Sequence, residues 1–403
     1  MIYISDHRCS SILSKILSKH SISPFQFAKS ISSRPRRPFV IENTCQRHIC
    51  LRIFYAGSTF SGYALQPFTP NTIESLLAKA LYNCALIPEP LLGHGYTRSA
   101  RTDKGVSSMG TVVGLHLRSR LDSSLPHIDS WTPTPTTSDA LMVSDEDTIS
   151  DELPYALMIN AHLPPQVKVL DWAPAPPGFH ARYDCQSREY AYILNAHNLN
   201  LDAMQEAASF FEGTHDLRNF CKWTKGKPVE WYRRSISYCR FESLDLGSAY
   251  PSYVRLRVRG KSFLWHQIRC MVAVLLRVGQ GLEDPDVVPR MLNVPVEGYS
   301  GRPIYPLADP RYLVLTQCHF GSKEPKWIND QKCTGYRSKS KRQHIVDLAS
   351  AHQERMDQGI FNAFMGNQLL DKDLHRKSKL PLGYTRLEDE KRVSFPAAPI
   401  ADE

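Results

Sequence analysis

Hydrophobic and polar positions alternate along several stretches of the chain, and this pattern predicts β-strands. Ile49, Leu51, Ile53 and Tyr55 are separated by one residue each, which places their side chains on one face of an extended strand. The same two-residue period, or a short apolar run, recurs further along. Additional strands are therefore predicted at residues 110–117, 188–194, 253–259 and 313–316.

Apolar residues at helical spacing lie between these strands. Thr72 is a suitable N-cap for a helix that extends to Leu86, and residues 201–211 have the pattern of a second helix. The strands and helices follow one another without a regular βαβ alternation. The order therefore favours an α+β fold with an antiparallel sheet over a parallel α/β fold.

A third helix is apolar on nearly every face, which predicts that it is buried. We expect it to begin at Ser262 as the N-cap and to end near Gly279. Arg269 lies within it, and a buried guanidinium without an anion costs several kcal/mol. A long arginine can instead extend to the surface. We favour a buried partner, and Asp103 is the candidate.

Length and composition narrow the class of protein. A chain of 403 residues is long enough for two packed subdomains with tails, and 42% hydrophobic residues is ordinary for a globular protein. No apolar run approaches the roughly 20 residues that span a bilayer, so we expect no membrane-spanning segment. The ten cysteines are scattered without a Cys-x-x-Cys pair, which favours reduced thiols over a disulfide framework or a metal site.

The net charge of +9 is concentrated at the N-terminus. Residues 1–40 contain seven Lys and Arg residues and one Asp, which account for +6. The remainder is close to neutral, so any affinity for nucleic acid must come from local patches. The leader is rich in Ser and amphipathic, as in an organellar transit peptide. A disordered RNA-binding arm and a nuclear signal near residues 34–37 are the alternatives, so the predicted location is the cytoplasm or nucleus, or a mitochondrion or other organelle.

Changes of composition predict the organisation of the chain. A Pro-Thr-rich stretch with an acidic cluster and no periodicity interrupts the globular pattern, and we interpret it as a flexible insertion. The predicted parts are a basic Ser-rich leader (1–40), an N-terminal catalytic subdomain (46–200) with the insertion (122–152), a C-terminal subdomain (201–320), and a basic linker, helix and polar tail (321–403, with the helix near 344–370).

One carboxylate has a setting suited to chemistry. Asp103 lies on a predicted tight turn that Gly105 closes, between Arg101 and Lys104. Cationic neighbours favour the charged form of a carboxyl. The plainer interpretation is a hairpin turn, which is what most Asp-x-Gly tripeptides form.

A basic and aromatic ladder is predicted on one strand. Arg188, Tyr190 and Tyr192 share a face by their two-residue period. Such a face can stack on a base and hold a phosphate, although Tyr and Arg are also common on half-exposed sheets. We find no phosphate-binding glycine loop, nucleophile elbow or zinc-binding helix motif, and His266 is more typical of a packed histidine than of a metal ligand. Chemistry would therefore use a carboxylate without metal or cofactor.

These segments together resemble the TruA family of tRNA pseudouridine synthases. The resemblance extends from Arg47 to about Phe320, and its motifs occur in the family's order. The phrases that begin at Phe220 and His266 are most similar to the eukaryotic branch that modifies tRNA positions 38 and 39 in the anticodon arm. The matching segments are 54–57, 62–63, 72–74, 101–106, 153–155, 179–182, 188–192, 213–216, 263–269, 279–281 and 313–315.

The resemblance implies a fold and a set of functional residues. The expected fold has two similar halves that share an antiparallel sheet flanked by helices, and the expected assembly is a homodimer that needs no cofactor. Asp103 would be the catalytic aspartate, Tyr190 would stack on the target uracil, and Arg269 would pair with Asp103. The expected RNA-binding residues are Arg101, which helps to extrude the target base, and Lys104, Arg188, Lys222 and His266.

The function that follows is isomerisation of uridine to pseudouridine in the anticodon stem-loop of tRNA, with Asp103 as the nucleophile. The alternative is a tRNA-binding relative without catalysis. An enzyme acting on a small molecule is disfavoured by the basic strand at 253–259 and by the lack of any small-ligand motif. The chain departs from the family at Ala100, where glycine is usual. Alanine would be strained there if the turn requires a left-handed backbone.

Overall fold

The predicted strands assemble into one large sheet in the computed structural model of the chain. The residues that the structure describes are 40–41, 44–89, 92–93, 95–125, 128–130, 149, 151–224, 226–243, 253–294, 301–328 and 392–393. Nearly all of the predicted leader, most of the predicted insertion and most of the predicted tail, with its helix near 344–370, lie outside these residues.

The large sheet has the strand order β4-β1-β3-β11-β6-β9-β8-β7, and β2 pairs with β3 while β5 pairs with β1. A separate two-stranded sheet joins β10 to β12. The strand bounds are β1 Cys45–Tyr55, β2 Thr97–Arg98, β3 Ser107–Ser119, β4 Ile128–Ser130, β5 Val167–Pro174, β6 Ser187–Asn195, β7 Gly213–Asp216, β8 Arg233–Ser243, β9 Tyr253–Gly260, β10 Arg302–Pro303, β11 Leu313–His319 and β12 Arg392–Val393.

The α+β class predicted from the sequence is confirmed, with one exception to antiparallel pairing. β11 runs parallel to β3, with Val314 opposite Ser107 and Leu315 opposite Ser108. On its other side β11 is antiparallel to β6. One strand from late in the chain thus joins the N-terminal strands to the C-terminal strands.

Five α-helices accompany the sheet in the described residues, and their bounds are α1 Ile73–Asn83, α2 Tyr155–Asn160, α3 Leu201–Ser209, α4 Gln267–Gly279 and α5 Val287–Leu292. The predicted cap of α1 is confirmed, because the Thr72 hydroxyl accepts a hydrogen bond from the Ser75 N–H at 3.3 Å. The helix ends at Asn83 rather than Leu86, since Ala85 adopts a left-handed backbone with φ of 53°.

Helices pack on both faces of the sheet. One set covers one face in the N-terminal half, and the other set covers the opposite face in the C-terminal half. Tyr190 lies opposite Val258 and Leu315, and Leu315 lies opposite Ser108, so these residues share one face. Val258 packs in a core with α3, α4 and α5 on that face. Leu315 also packs with Val112 of β3, whereas the adjacent Val113 packs with α1 and α2, and alternation places it on the other face.

Helix α4 begins later than the sequence predicts. Ser262 is not its N-cap, because the helix starts at Gln267 and His266 occupies the cap position with a left-handed φ of 62°. The Gln267 side chain instead folds back and accepts a hydrogen bond from the Leu264 N–H at 2.8 Å. This arrangement brings Arg269 into the first turn of α4, at the end of the helix rather than in its middle.

Close packing explains the glycine at the other end of α4. A Cβ atom at Gly279 would overlap the Met204 side chain of α3, so the two helices approach one another there. The left-handed residue that follows the helix is Gly281, with φ of 69°.

Every cysteine among the described residues is a free thiol, as predicted. In the same part of the chain, no helix is both long and apolar enough to cross a membrane.

Candidate active site

The turn that carries Asp103 connects β2 to β3 and is held from both sides. The Val106 N–H donates to the Asp103 carbonyl at 3.1 Å, and Gly105 has a left-handed φ of 85°, as the predicted tight turn requires. The Tyr55 hydroxyl lies 2.8 Å from the hydroxyl of Thr102. The turn is therefore fixed to β1 immediately before the carboxylate.

The loop after β1 packs directly against this turn. The Gly57 N–H donates to Ser107 Oγ at 3.0 Å, and a Cβ atom at Gly57 would overlap the Val106 carbonyl. The Tyr63 N–H donates to the Thr102 carbonyl at 3.1 Å. Glycine is needed at position 57 because the two backbones are in contact.

Arg188 braces the residues that lead into the turn. Its Nε and Nη2 donate to the Ser99 carbonyl at 3.0 and 2.8 Å. Nη1 donates to the carbonyls of Cys185 and Lys261 at 2.9 and 2.7 Å. Nη2 also donates to the backbone carbonyl of Arg182 at 3.0 Å. A guanidinium has five N–H groups, so these five bonds use its donor capacity. The structure gives Arg188 a positioning role, whereas the phosphate contact stays a prediction.

Ala100 follows the braced residue and is not strained. The non-glycine residues with positive φ in the described part of the chain are Ala85, Asn198 and His266. The substitution of the family's usual glycine therefore requires no left-handed backbone in this chain. The geometry of the Asp103 turn is compatible with alanine at this position.

The Asp103 carboxylate is half-buried beside the start of α4. Its Oδ2 lies 3.8 Å from Nε2 of His266. Burial raises the pKa of Asp103, while the charges of Arg269 and Lys222 and the indole of Trp265 oppose this shift. The net direction is upward, which corrects the expectation that cationic neighbours dominate. Desolvation of the carboxylate outweighs their attraction.

The sequence predicts that Arg269 is a direct partner of Asp103, but the structure gives its guanidinium a different partner. Its Nε donates to the Ala308 carbonyl at 2.7 Å, and the Ala308 N–H donates back to the Arg269 carbonyl at 3.3 Å. Within the described residues, the ion pairs of 4.0 Å or less do not include one between Arg269 and Asp103. Arg269 is held by backbone and acts on Asp103 through its charge at longer range.

His266 is a neutral neighbour of the carboxylate at physiological pH. Burial, with the charges of Arg269, Lys222 and Arg302, lowers its pKa to about 4. The 3.8 Å contact with Asp103 is therefore not an ion pair near pH 7. Its left-handed backbone is sparsely populated for residues other than glycine, and such conformations concentrate at functional sites.

Tyr190 of β6 packs against the core cluster that contains Val106 of the Asp103 turn. Its ring packs edge-to-face against Phe263, with centroids 5.3 Å apart. Burial raises the pKa of the Tyr190 phenol, and the charge of Asp103 adds to the shift. Asp103 and Tyr190, separated by much of the chain, are thus brought together, and the phenol stays protonated.

The remaining predicted RNA-binding residues are exposed cations. Arg101, Lys104 and Lys222 all face solvent. Lys222 places its Nζ 4.0 Å from the centroid of the Trp265 ring. Sequence reasoning missed Trp265 as a site residue, because no periodicity connects the segment of Lys222 to the segment of Trp265. The only signal in the sequence was the position of this tryptophan next to His266.

The basic strand predicted at 253–259 forms β9, but its arginines face away from Tyr190. Arg257 lies in register beside Ala191, one position from Tyr190, so it extends from the other face. There it bonds to Glu189 at 2.7 Å and to Glu242 at 2.8 Å. The alternation was correct, yet this strand supplies no cations to the Asp103 side. Among the described residues, no cluster of potential metal ligands occurs on either face.

Comparison with known proteins assigns the family. A family profile described as tRNA pseudouridine synthase matches residues 207–321. The tRNA pseudouridine(38/39) synthase of Bos taurus is 36% identical over 306 residues, or 74% of this chain and 60% of the relative. A probable tRNA pseudouridine synthase of Caenorhabditis elegans is 33% identical over 288 residues, or 70% of this chain and 69% of the relative. This chain belongs to the tRNA pseudouridine synthase family.

Other relatives extend this family comparison. The tRNA pseudouridine(38/39) synthase of Saccharomyces cerevisiae is 34% identical over 306 residues, or 75% of this chain. The chain spans between 60% and 64% of the length of the mammalian and yeast relatives. The tRNA pseudouridine synthase profile includes Lys222, Trp265 and His266 but begins after Asp103. The profile match therefore does not bear on Asp103, and the role proposed for this residue rests on the geometry of its turn.

Proposed function

We propose that this protein is a tRNA pseudouridine synthase that isomerises uridine in the anticodon stem-loop, at position 38 or 39. The observation that carries the proposal is the half-buried Asp103 carboxylate, which lies 3.8 Å from His266 at the start of α4 and is close enough to Arg269 and Tyr190 to interact with them electrostatically. Family membership supports the reaction class, and the names of the eukaryotic relatives support the two positions.

The reaction requires the target uridine to leave the base stack, which costs a few kcal/mol. In the proposed complex the Tyr190 ring faces the extruded uracil, and Asp103 acts on the nucleoside as the nucleophile. The bond from uracil N1 to the ribose breaks, the base rotates, C5 forms the new bond to the ribose, and the Asp103 carboxylate is released unchanged. The C5 proton is lost and N1 gains one, so the reaction is an isomerisation and needs no cofactor.

The positioning of the carboxylate follows from the turn. Arg188, Tyr55 and the loop at Gly57 fix the backbone on both sides of Asp103, so the carboxylate reaches the substrate without a prior ordering step. Arg269 stabilises the ionised form through its charge, which opposes the effect of burial. We propose that the exposed Arg101 and Lys104 bind the phosphates that flank the target.

The test is mapping of pseudouridine in tRNA incubated with the wild type, Asp103→Asn and Asp151→Asn. Asp151 is an exposed aspartate and serves as the matched control. We expect conversion in the anticodon arm by the wild type and the control, and none by Asp103→Asn. Tight tRNA binding by all three proteins with no conversion would instead support a non-catalytic tRNA-binding protein. Conversion by Asp103→Asn at the wild-type rate would remove Asp103 as the nucleophile.

Assembly and location extend the proposal. The resemblance implies a homodimer, and we propose that state for this protein, to be tested by sedimentation of the full chain. The basic Ser-rich leader supports either an organellar location or one in the cytoplasm or nucleus. Imaging of the tagged full chain, compared with a chain that lacks residues 1–40, distinguishes a targeting role of the leader from an RNA-binding role.

A further inference from the structure

Trp265 is a large aromatic residue left open to solvent beside the candidate active site. Its exposed fraction is 46%, and it is the residue immediately before His266, whose Nε2 lies 3.8 Å from Asp103. The indole also favours the ionised form of that carboxylate. An exposed indole at the rim of a polar site is typical of a surface that binds a ligand.

Local structure holds Trp265 in this position. The Lys222 N–H donates to the Trp265 carbonyl at 2.8 Å, which joins the two segments. The next residue, His266, adopts the left-handed conformation and then starts α4. Trp265 thus precedes the helix, and its indole is exposed and lies outside the apolar core that α4 enters.

Lys222 and Trp265 form a cationic and aromatic pair. The Nζ atom lies 4.0 Å from the indole centroid, within the range of a cation–π interaction. Lys222 is exposed, and the ion pairs found among the described residues leave it without a carboxylate partner. The pair therefore presents an aromatic ring and an uncompensated positive charge to the same ligand.

We propose that Trp265 and Lys222 form a nucleotide clamp, in which the indole stacks on the base next to the extruded uridine and the Lys222 ammonium binds an adjoining phosphate. This inference rests on the proposed function, because it assigns part of the same substrate to a further pair of residues. Extrusion of one base removes a stacking partner from its neighbour, and an aromatic side chain can replace that partner. The charge of Lys222 suits the phosphate of the same nucleotide.

The first experiment measures binding of an unmodified tRNA transcript that has uridine at position 39. We expect Trp265→Ala to weaken binding by about 10-fold to 100-fold, the range of base–aromatic stacking. We expect Trp265→Phe to weaken it by less than about 5-fold, because the aromatic face remains. Tyr82→Leu is the matched control, since Tyr82 of α1 has the same exposed fraction of 46%, and it should bind like the wild type.

This series separates stacking from a contact of the indole N–H with Asp103. If the N–H alone mattered, Trp265→Phe would lose as much conversion as Trp265→Ala while tRNA binding stayed intact. That result would overturn the clamp. Lys222→Gln should weaken binding and lower the slope of log K against log salt by about one, as expected for the loss of one phosphate contact. An unchanged slope would also contradict it.

A coupling experiment identifies the stacked base. Transcripts that each lack one base beside the target uridine are bound to the wild type and to Trp265→Ala. At the stacked position the missing base should weaken wild-type binding by about the same factor as the Trp265→Ala substitution, and the two changes should not add. Additive losses at every position would overturn the proposal. A wild type that binds the transcript without converting it would refute the proposed function but would leave the clamp open to this test, whereas a wild type that does not bind would refute both.

Discussion

Glu189 and Tyr190 are neighbours on β6, yet their side chains lie in opposite kinds of surroundings. On the Glu189 face, Arg257 bonds to Glu189 and Glu242, and the Tyr238 hydroxyl also donates to Glu189. On the Tyr190 face, Asp103 has no arginine or lysine within ion-pair distance among the described residues. Charges on the first face bond to one another, whereas Asp103 and Lys222 on the second face have no lysine, arginine or carboxylate ion-pair partner among the described residues and remain available to a ligand.

This difference shows that the number of basic residues on a strand does not identify a nucleic-acid surface. The alternating arginines of β9 suggested such a surface from the sequence, but Arg255 and Arg257 have carboxylate partners, and Arg259 donates to the Ser187 hydroxyl. Charges that already bond within the protein have little left for phosphate. Exposed cations without an ion pair among the described residues, such as Arg101, Lys104 and Lys222, lie in separate segments.

Replacement of Arg188 should have the largest effect on stability. Arg188 is a cation on the Tyr190 face, but its donors bond to carbonyl groups of the protein. Arg188→Lys keeps the charge but cannot bridge four carbonyl groups. We expect the free energy of unfolding in urea to fall by about 3 kcal/mol, given the usual worth of charge-assisted hydrogen bonds. Conversion of tRNA should fall as well, since the Ser99 carbonyl before the Asp103 turn loses its donor. Unchanged stability with weaker tRNA binding would make Arg188 an RNA contact instead.

Glu189→Gln tests the paired face. Glu189 is buried with a side-chain exposure of 9%, so the neutral amide leaves Arg257 with a weaker partner. We expect the free energy of unfolding to fall by about 2 kcal/mol, with the conversion rate per folded molecule unchanged. Glu242→Gln is the more exposed control and should cost less than about 1 kcal/mol. A loss of conversion at full stability would show that the two faces are coupled.

Asp103→Asn should have the smallest effect on stability, and the sign of that effect is opposite to that of Glu189→Gln. Burial raises the pKa of Asp103 in the folded protein, so the ionised carboxylate opposes folding once the pH exceeds that pKa. The asparagine variant should therefore have a slightly higher Tm than the wild type at neutral pH. The difference should vanish as the pH falls below the pKa of an unfolded aspartate. A lower Tm at neutral pH would show that the carboxylate makes a net stabilising contact.

The sequence predicts β1, β3, β6, β9, β11 and the Asp103 turn because these depend on local signals, whereas β5 and β8 were not predicted. Alternation identifies β1 and β9, and Gly105 supplies the positive φ that closes the turn. The family resemblance adds the pairing of distant motifs, such as the placement of Asp103 near Tyr190. These parts of the fold and site follow from residue order alone.

Other features depend on register and packing, which residue order does not reveal. The start of α4 was wrong because His266 adopts a conformation that its residue type disfavours. The partner of Arg269 was assigned by charge, whereas the structure gives its Nε the Ala308 carbonyl. Backbone acceptors carry no sequence signature, so the roles of Arg188 and Arg269 as braced residues emerge only from the three-dimensional arrangement.

The central position of β11 determines when the sheet can be completed during synthesis. β11 follows β3 and β6 in the chain, yet it lies between them. Until residue 319 has left the ribosome, both of these earlier strands present open edges, which are prone to pair with other chains. A stop codon before Leu313 would thus yield two incomplete sheets rather than a shortened sheet. Productive folding of the nascent chain therefore depends on the last strand of the large sheet.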